Sequence, residues 1–230
     1  MTVKVTREAE PQIELYGAYS GQLDGNGRVS LTFTATDTYL IMVPKNAVSR
    51  PQLELGAFAT SYIPTAASTV TRNADVASVD VSQFPYSASE GTLVVAWSMI
   101  AAETGIGYPA AVQMDNGTAN AYIAVRQEGT SDFRRYGVVQ NGASVAAMLN
   151  LTAETLTANT VLKAGIAYKE NDFAFARDAT LGTASIGTVP VVDTMRLGRN
   201  EANIFINSHI RQITYIPRRL TNAELQSRTA

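Results

Sequence analysis

Aromatic and arginine side chains between positions 108 and 136 are the residues of this chain best suited to bind a ligand. Aromatic rings offer a flat apolar body with a polar tip, as sugar binding requires, and a guanidinium binds carboxylates through paired hydrogen bonds. The arginine pair could bind an acidic sugar or a partner's carboxylates, the alternative being two solvated surface charges. The predicted ligand-binding residues are Tyr108, Tyr122, Phe133, Arg134, Arg135 and Tyr136.

Catalytic patterns are missing from the sequence. The single histidine, His209, lies in a strand-like segment, and no Gly-x-Ser-x-Gly elbow occurs in the chain. A retaining glycosidase needs two carboxyl groups about 5–5.5 Å apart. The acidic residues near the aromatic candidates are instead separated by non-acidic runs, which favours solvated loop positions for Glu103, Asp115, Glu128 and Asp132. We therefore predict a protein that is not an enzyme and has no catalytic residue.

Two short segments carry oxygen ligands of the kind that calcium prefers, residues 115–118 and 170–172. Both also have the composition of ordinary turns, in which Asn and Asp bond to their own backbone. The chain has no cysteine and no histidine–carboxylate cluster, so a zinc site is not expected. The sequence predicts no metal and no cofactor, with calcium as an alternative that nothing further supports.

Composition narrows the class of partner. The chain has 230 residues, 46% of them hydrophobic, and a net charge of −2. Nucleic acid is disfavoured as a ligand because its binding depends on neutralising phosphates. No apolar run approaches the ~18 residues that span a bilayer, and the first residues lack the apolar core of a signal peptide. We expect no membrane insertion, no disulfides, and synthesis in the cytoplasm.

Alternating apolar residues predict strands through most of the chain. Leu93, Val95, Trp97 and Met99 share one face of a segment with period two, so Trp97 is expected in the core. Asn141-Gly142 between strand-like runs predicts a tight hairpin, and the turn at 170–172 predicts another. Near the C-terminus, Thr221 and Glu224 are spaced as a capping box before a short helix. The fold predicted is an all-β antiparallel sandwich with a C-terminal helix.

Several motifs together resemble a known family. These are the final strand at 209–217 with the Arg218-Arg219-Leu220 connector, a Gly198-Arg199 pair, and the segments 52–64, 70–75 and 90–97. In this order they are similar to the laminin-G-like (concanavalin A-like, jelly-roll) sandwich of tailed-phage virion proteins. The resemblance covers about residues 50–230. Ser208 and Ile216 depart from the family's usual glycine and aromatic residue.

The resemblance implies a non-catalytic structural or adhesive virion protein. Such a protein is a tail or head appendage, a capsid decoration or a tail-fibre component, and it docks to other virion subunits. It could also bind glycans of the host surface. A carbohydrate-binding module with a cellular role is the alternative, and a glucanase-like hydrolase fits less well because its carboxylate string is missing.

Residues 1–65 are predicted to form a partial β region that serves docking or oligomerisation, and residues 66–230 the sandwich. About 60 residues are too few for a complete jelly roll. Residues 28–43 read as a hairpin with apolar side chains on both faces, and both faces therefore need cover from another subunit. The predicted docking residues are Val29, Leu31, Phe33, Tyr39, Leu40, Ile41, Met42 and Val43.

Overall fold

The computed structural model describes residues 2–6, 12–24, 29–44, 49–55, 62–71, 73–99, 107–127, 135–142, 144–150, 157, 159–184 and 186–230. The chain divides into two compact units, Met1–Asn73 and Ala74–Ala230, where the sequence placed the boundary after residue 65. Strands dominate both units, so the predicted all-β class is confirmed. Within the described ranges, no helix is long and apolar enough to cross a membrane.

Two small antiparallel sheets form the first unit. Its strands are β1 (Thr2–Thr6), β2 (Gln12–Gly17), β3 (Gly21–Asp24), β4 (Val29–Thr32), β5 (Leu40–Pro44) and β6 (Ser49–Glu54). They are ordered β4-β1-β6 in one sheet and β3-β2-β5 in the other. Ile13, Leu15, Ala18 and Phe33 make a small buried core, so this unit buries apolar surface within itself.

The predicted hairpin over residues 28–43 is wrong, because its two strands belong to different sheets. β4 pairs with β1, whereas β5 pairs with β2. The segment between them is tied to Ala18 by backbone hydrogen bonds. The Ala18 N–H donates to the Tyr39 carbonyl at 2.6 Å, and the Thr36 N–H donates to the Ala18 carbonyl at 2.9 Å. These two hydrogen bonds hold the segment that connects one sheet to the other.

The predicted docking residues consequently divide between core and surface. Phe33 is buried, and Leu31, Leu40 and Met42 pack against the small core. Tyr39 and Ile41 are about half exposed. Val43 is partly buried, and the side chain of Val29 lies outside the described part of the structure. The expectation that both faces need an outside partner is therefore wrong for the inward-facing residues.

The second unit contains two larger antiparallel sheets. Its strands are β7 (Ala77–Asp80), β8 (Glu90–Met99), β9 (Ala110–Asp115), β10 (Ala121–Gln127), β11 (Arg135–Asn141), β12 (Ser144–Asn150), β13 (Val161–Lys169), β14 (Phe173–Arg177), β15 (Thr180–Ala184), β16 (Thr194–Leu197) and β17 (Ser208–Ile216). A 3-10 turn, Val81–Gln83, follows β7. The six-stranded sheet has the order β12-β11-β10-β9-β16-β7, and the five-stranded sheet has the order β15-β14-β13-β8-β17.

The apolar core of the second unit draws side chains from both sheets. On β8, Leu93, Val95, Trp97 and Met99 are buried, which confirms the predicted core position of Trp97. Val112, Met114, Ile123 and Val125 from the six-stranded sheet belong to the same cluster. Because successive side chains of a strand point to opposite faces, the residues between them face away from this core.

Both predicted turns connect paired strands. Gly142, with φ of +75°, follows β11, which pairs with β12. Asn171, with φ of +57°, joins the paired strands β13 and β14. The hairpins at Asn141-Gly142 and at residues 170–172 are therefore confirmed.

The chain ends in α1 (Asn222–Thr229), which begins at the predicted capping box. The Glu224 N–H donates to the Thr221 hydroxyl at 3.3 Å, and the Thr221 N–H donates to the Glu224 carboxylate at 2.8 Å. Hydrogen bonds from the Arg218 guanidinium and from Thr221 lower the pKa of Glu224 to about 2. The carboxylate is therefore charged at neutral pH, as a helix N-terminus favours.

Candidate functional site

A cluster of polar and aromatic residues lies on the face of the six-stranded sheet that points away from the main core. β9 contributes Gln113 and Asp115, and β10 contributes Tyr122 and Arg126, each alternating with core residues. β11 adds Tyr136, which forms a separate small apolar cluster with Tyr122, Ala124 and Val138. The antiparallel register of β9, β10 and β11 brings these side chains together.

Arg126 is the centre of this cluster. Its guanidinium lies over the Tyr122 ring, with 4.1 Å between Cζ and the ring centroid. Nε and Nη2 donate to the Gln113 side-chain carbonyl at 3.2 and 2.7 Å. Nη2 also donates to Glu201 Oε2 at 2.8 Å, and Nη1 donates to the Tyr122 hydroxyl at 3.4 Å. The residue is 7% exposed, so protein groups already surround its charge.

A second ion pair lies beside the first and is joined to it by Gln113. Arg196 Nε donates to both oxygens of Asp115, at 2.8 and 3.0 Å. The Gln113 amide nitrogen donates to Asp115 at 3.0 Å and to Glu201 at 2.6 Å. Two arginines and two carboxylates thus form one network in which the formal charges cancel.

The loop that carries Glu201 is held by its neighbour Asn200. The Asn200 side-chain oxygen accepts from the N–H groups of Ala202 and Ile204 at 3.0 and 2.9 Å. Its amide nitrogen donates to the Tyr108 carbonyl at 3.3 Å. Asn200 is buried, and its three hydrogen bonds connect the loop of Glu201 to the segment that carries Tyr108.

The tyrosines that the sequence singled out converge at this cluster. The Tyr108 and Tyr136 rings meet edge to face, with centroids 6.3 Å apart, and Tyr108 is 47% exposed. Burial raises the pKa of Tyr122 and of Tyr136, while the Arg126 charge partly opposes the rise. Both phenols therefore stay neutral at physiological pH and keep a hydroxyl that can donate as well as accept.

Arg135 does not belong to this cluster, contrary to the prediction. It is 1% exposed and points to the core side, with its guanidinium 5.8 Å from the Trp97 ring centroid. It donates to the Lys163 carbonyl at 2.8 Å and forms an ion pair with Asp178. Phe133 and Arg134, also predicted, lie outside the described residues.

Sequence reasoning missed Gln113, Arg126, Arg196 and Glu201. Arg126 could have been predicted as a site residue from the spacing of Tyr122, Ala124 and Arg126, because this spacing places all three on one face of a strand. Glu201 gives no such signal, since it lies in a loop and reaches Arg126 across 75 positions of sequence.

The described groups that were considered for catalysis and metal binding form no common site. His209 is exposed on β17, in the opposite sheet, where it pairs with Ser98. Asp172, in the second candidate calcium turn, pairs with Arg219 at 2.8 Å. Among the described residues, no group of three or more His, Cys, Asp or Glu is placed to hold a metal ion. Glu103, Glu128 and Asp132 lie outside those residues.

The fold is shared with known carbohydrate-binding domains. The CBM40 domain of the Ruminococcus gnavus IT-sialidase, solved with alpha2,3 sialyllactose, superposes with a TM-score of 0.52 and 13% identity, covering 67% of this chain and 93% of that domain. A structure of NanB with optactamide gives 0.50 and 12%, covering 66% of this chain and 26% of NanB. No protein-family model matches the sequence, and no curated protein matches it. At these identities the likeness establishes a common sandwich fold.

Proposed function

We propose that the second unit is a non-catalytic glycan-binding module whose ligand lies on the Arg126 cluster. The observation that carries this proposal is the convergence of Tyr108, Tyr122 and Tyr136 around one guanidinium on a single sheet face. Tyr108 offers an exposed ring on which a sugar can stack. Arg126 and Glu201 belong to the same cluster, with side chains 9% and 11% exposed, and they can orient the sugar hydroxyls. Apolar walls with a few convergent polar groups are typical of ligand sites.

The shared fold supports this proposal. The Ruminococcus gnavus domain of the same architecture was solved with a bound sialyllactose, so this kind of sandwich can present a sugar site. Fold alone does not determine function, and the argument for this chain therefore rests on its own tyrosines.

The arrangement of the carboxylates favours binding over hydrolysis. Asp115 and Glu201 both accept from the same Gln113 nitrogen, so they are close enough to be considered as a catalytic pair. Asp115, however, is fully buried and is bonded to Arg196, Gln113 and the Gly117 N–H. A carboxylate with its oxygens engaged in this way cannot reach a glycosidic bond.

Replacing Tyr108 with alanine should weaken glycan binding at least about tenfold, since a lost aromatic anchor commonly costs more than ~1.4 kcal/mol. A glycan array with the wild-type protein would identify a ligand, and titration calorimetry would then compare the variants. Tyr16→Ala is the matched control, because Tyr16 is also 47% exposed but lies in the first unit. Equal affinity of Tyr108→Ala and wild type would rule out this site.

The biological setting of our proposal is a tailed-phage virion, where the second unit would face a host glycan. This part rests on the sequence motifs shared with virion sandwiches. The first unit would dock to another virion subunit through the outer face of β2 and β5. Tyr16 and Ile41 are direct cross-strand partners there, and with Tyr39 each is about half exposed. An exposed apolar group of this kind is typical of an interaction surface.

The double change Tyr39→Ser and Ile41→Lys should weaken attachment to the particle at least about tenfold by placing a charge in the contact. Co-sedimentation with particles would measure attachment, and light scattering would report any self-association. Val161→Lys is the control, because Val161 is about equally exposed but lies in the second unit. Unchanged attachment would remove this surface from the proposal and would favour a cellular carbohydrate-binding module.

A further inference from the structure

We infer that the glycan bound at this site is acidic, and that its anionic group binds Arg196 close to the buried charge of Arg199. The inference rests on the proposed glycan-binding function and adds the chemical class of the ligand. It follows from two arginines, one on β16 and one just after it, whose hydrogen-bond donors the protein leaves partly unused.

Arg196 keeps donors that the protein does not use. Its Nε donates to both oxygens of Asp115, at 2.8 and 3.0 Å, and among the described residues nothing accepts from its Nη1 or Nη2. The Arg196 side chain is 16% exposed, against 0% for Asp115, 11% for Glu201 and 9% for Arg126. The most exposed charged side chain of the network is therefore a guanidinium with unbonded N–H groups.

Arg199 is a buried cation that has no carboxylate partner among the described residues. It is 5% exposed, its Nη1 donates to the Asn203 side-chain oxygen at 2.6 Å, and its Nε is buried without an acceptor. Burial lowers the pKa of Arg199, the positive charge of Arg196 lowers it further, and the Asp115 charge partly opposes both effects. The two guanidinium groups therefore lie close enough to repel each other, and Arg199 adds a positive charge that no ion pair compensates.

An anion at the free donors of Arg196 would offset this repulsion. A carboxylate accepts paired hydrogen bonds from the nitrogens of a guanidinium, and its charge would also stabilise the neighbouring Arg199. Glu201 and Asp193 act on Arg196 electrostatically, but Asp193 is exposed and its charge is screened by solvent. Within the described part of the chain, neither carboxylate bonds to Arg196 or Arg199, so the free donors stay open to a ligand.

These donors lie next to the proposed glycan site. Arg196 and Gln113 are direct cross-strand partners in β16 and β9, and the Gln113 side-chain carbonyl accepts from Arg126 at 2.7 Å. Opposite residues of an antiparallel pair share one face of the sheet. An acidic sugar can therefore place its anionic group on Arg196 while its ring lies on the cluster around Arg126.

Probes with and without an anionic group test this inference. Titration calorimetry would compare a galacturonate oligosaccharide with its methyl ester, sialyllactose with lactose, and mannose 6-phosphate with mannose, which separates three sources of negative charge. We expect an acidic probe to bind at least about tenfold more tightly than its neutral counterpart, because hydrogen bonds between charged groups are stronger. The difference should shrink between about 50 mM and about 500 mM NaCl, since salt screens charges.

Two substitutions locate the anionic group. Arg196→Lys keeps a positive charge beside Asp115 but loses the planar pair of Nη donors, and it should lower the ratio of acidic to neutral affinity about five- to tenfold. Arg199→Met removes the uncompensated charge and keeps a long unbranched side chain, and it should lower the same ratio. Arg211→Met is the matched control, because Arg211 is exposed on β17 in the opposite sheet. Circular dichroism would verify that the variants are folded.

The outcomes separate this inference from the proposed function. Equal or tighter binding of the neutral probes overturns the inference, as does an acidic preference that neither Arg196→Lys nor Arg199→Met reduces, while weaker binding by Tyr108→Ala still supports a glycan site. If no glycan binds the wild type, or if Tyr108→Ala binds normally, the proposed function fails and the inference fails with it. An acidic preference that salt and both substitutions reduce would establish it.

Discussion

Asp115→Ala should lower the free energy of unfolding by about 3–5 kcal/mol, the range for removing one partner of a buried ion pair. The Asp115 side chain is fully buried. It accepts from Arg196 at 2.8 and 3.0 Å, from Gln113 at 3.0 Å and from the Gly117 N–H at 2.7 Å. Alanine would leave the Arg196 charge and the Gln113 amide without this acceptor. Urea denaturation followed by circular dichroism would measure the loss.

Asp193→Ala provides the comparison for this result. Asp193 precedes β16, is exposed, and bonds to the Thr194 hydroxyl at 2.8 Å, so its removal should change stability by no more than about 0.5 kcal/mol. A loss of less than about 1 kcal/mol for Asp115→Ala would mean that the Asp115–Arg196 ion pair stabilises the fold no more than a solvent-exposed ion pair does. It would also contradict the network that holds Gln113 between Asp115 and Glu201.

The sandwich was predictable because its strands carry a local signal. On β8 the apolar residues Leu93, Val95 and Trp97 alternate with smaller or partly exposed ones, and this period of two is visible in the sequence. The turn at Asn141-Gly142 is equally local, since glycine adopts the positive φ that the hairpin needs. Both features are determined by residues that are close together in the sequence.

The candidate site was predictable only in part, because half of it depends on strand boundaries and distant loops. Arg135 and Tyr136 are neighbours in sequence, and both are predicted ligand-binding residues. In the structure β11 begins at Arg135, so alternation turns Arg135 towards Trp97 and Tyr136 towards Arg126. Glu201 reaches the site through a loop fixed by Asn200, a tertiary contact that no local pattern records.

The first unit shows the same limit. Residues 29–32 and 40–44 each have strand character, and their separation by a short polar segment favoured a hairpin. Pairing was decided instead by β1 and β2, which supply partner strands in two different sheets. Strand propensity is local, whereas the choice of partner depends on which apolar faces can be buried together.

The packing of the C-terminal helix could also not be predicted from the sequence, because the residues that the helix covers are alanines. Leu225 of α1 packs on Ala167, Ala174 and Ala176 of β13 and β14. Small side chains on that face leave room for a helix, but alanine is common enough in this chain to carry no signal. The capping box predicted that a helix forms, and it did not predict where the helix packs.

Leu225→Ala should therefore lower the free energy of unfolding by about 2–5 kcal/mol, because it removes a fully buried side chain and leaves a cavity above the alanines. Thr221→Ala should cost less, about 0.5–2 kcal/mol, since it removes only the N-cap. Urea denaturation of both variants at pH 7, where Glu224 is charged, would give the two values. Leu225→Met, which nearly conserves volume, should lose less than about 1.5 kcal/mol. If Thr221→Ala proved costlier than Leu225→Ala, the helix would owe its stability to its cap rather than to its packing on the sheet.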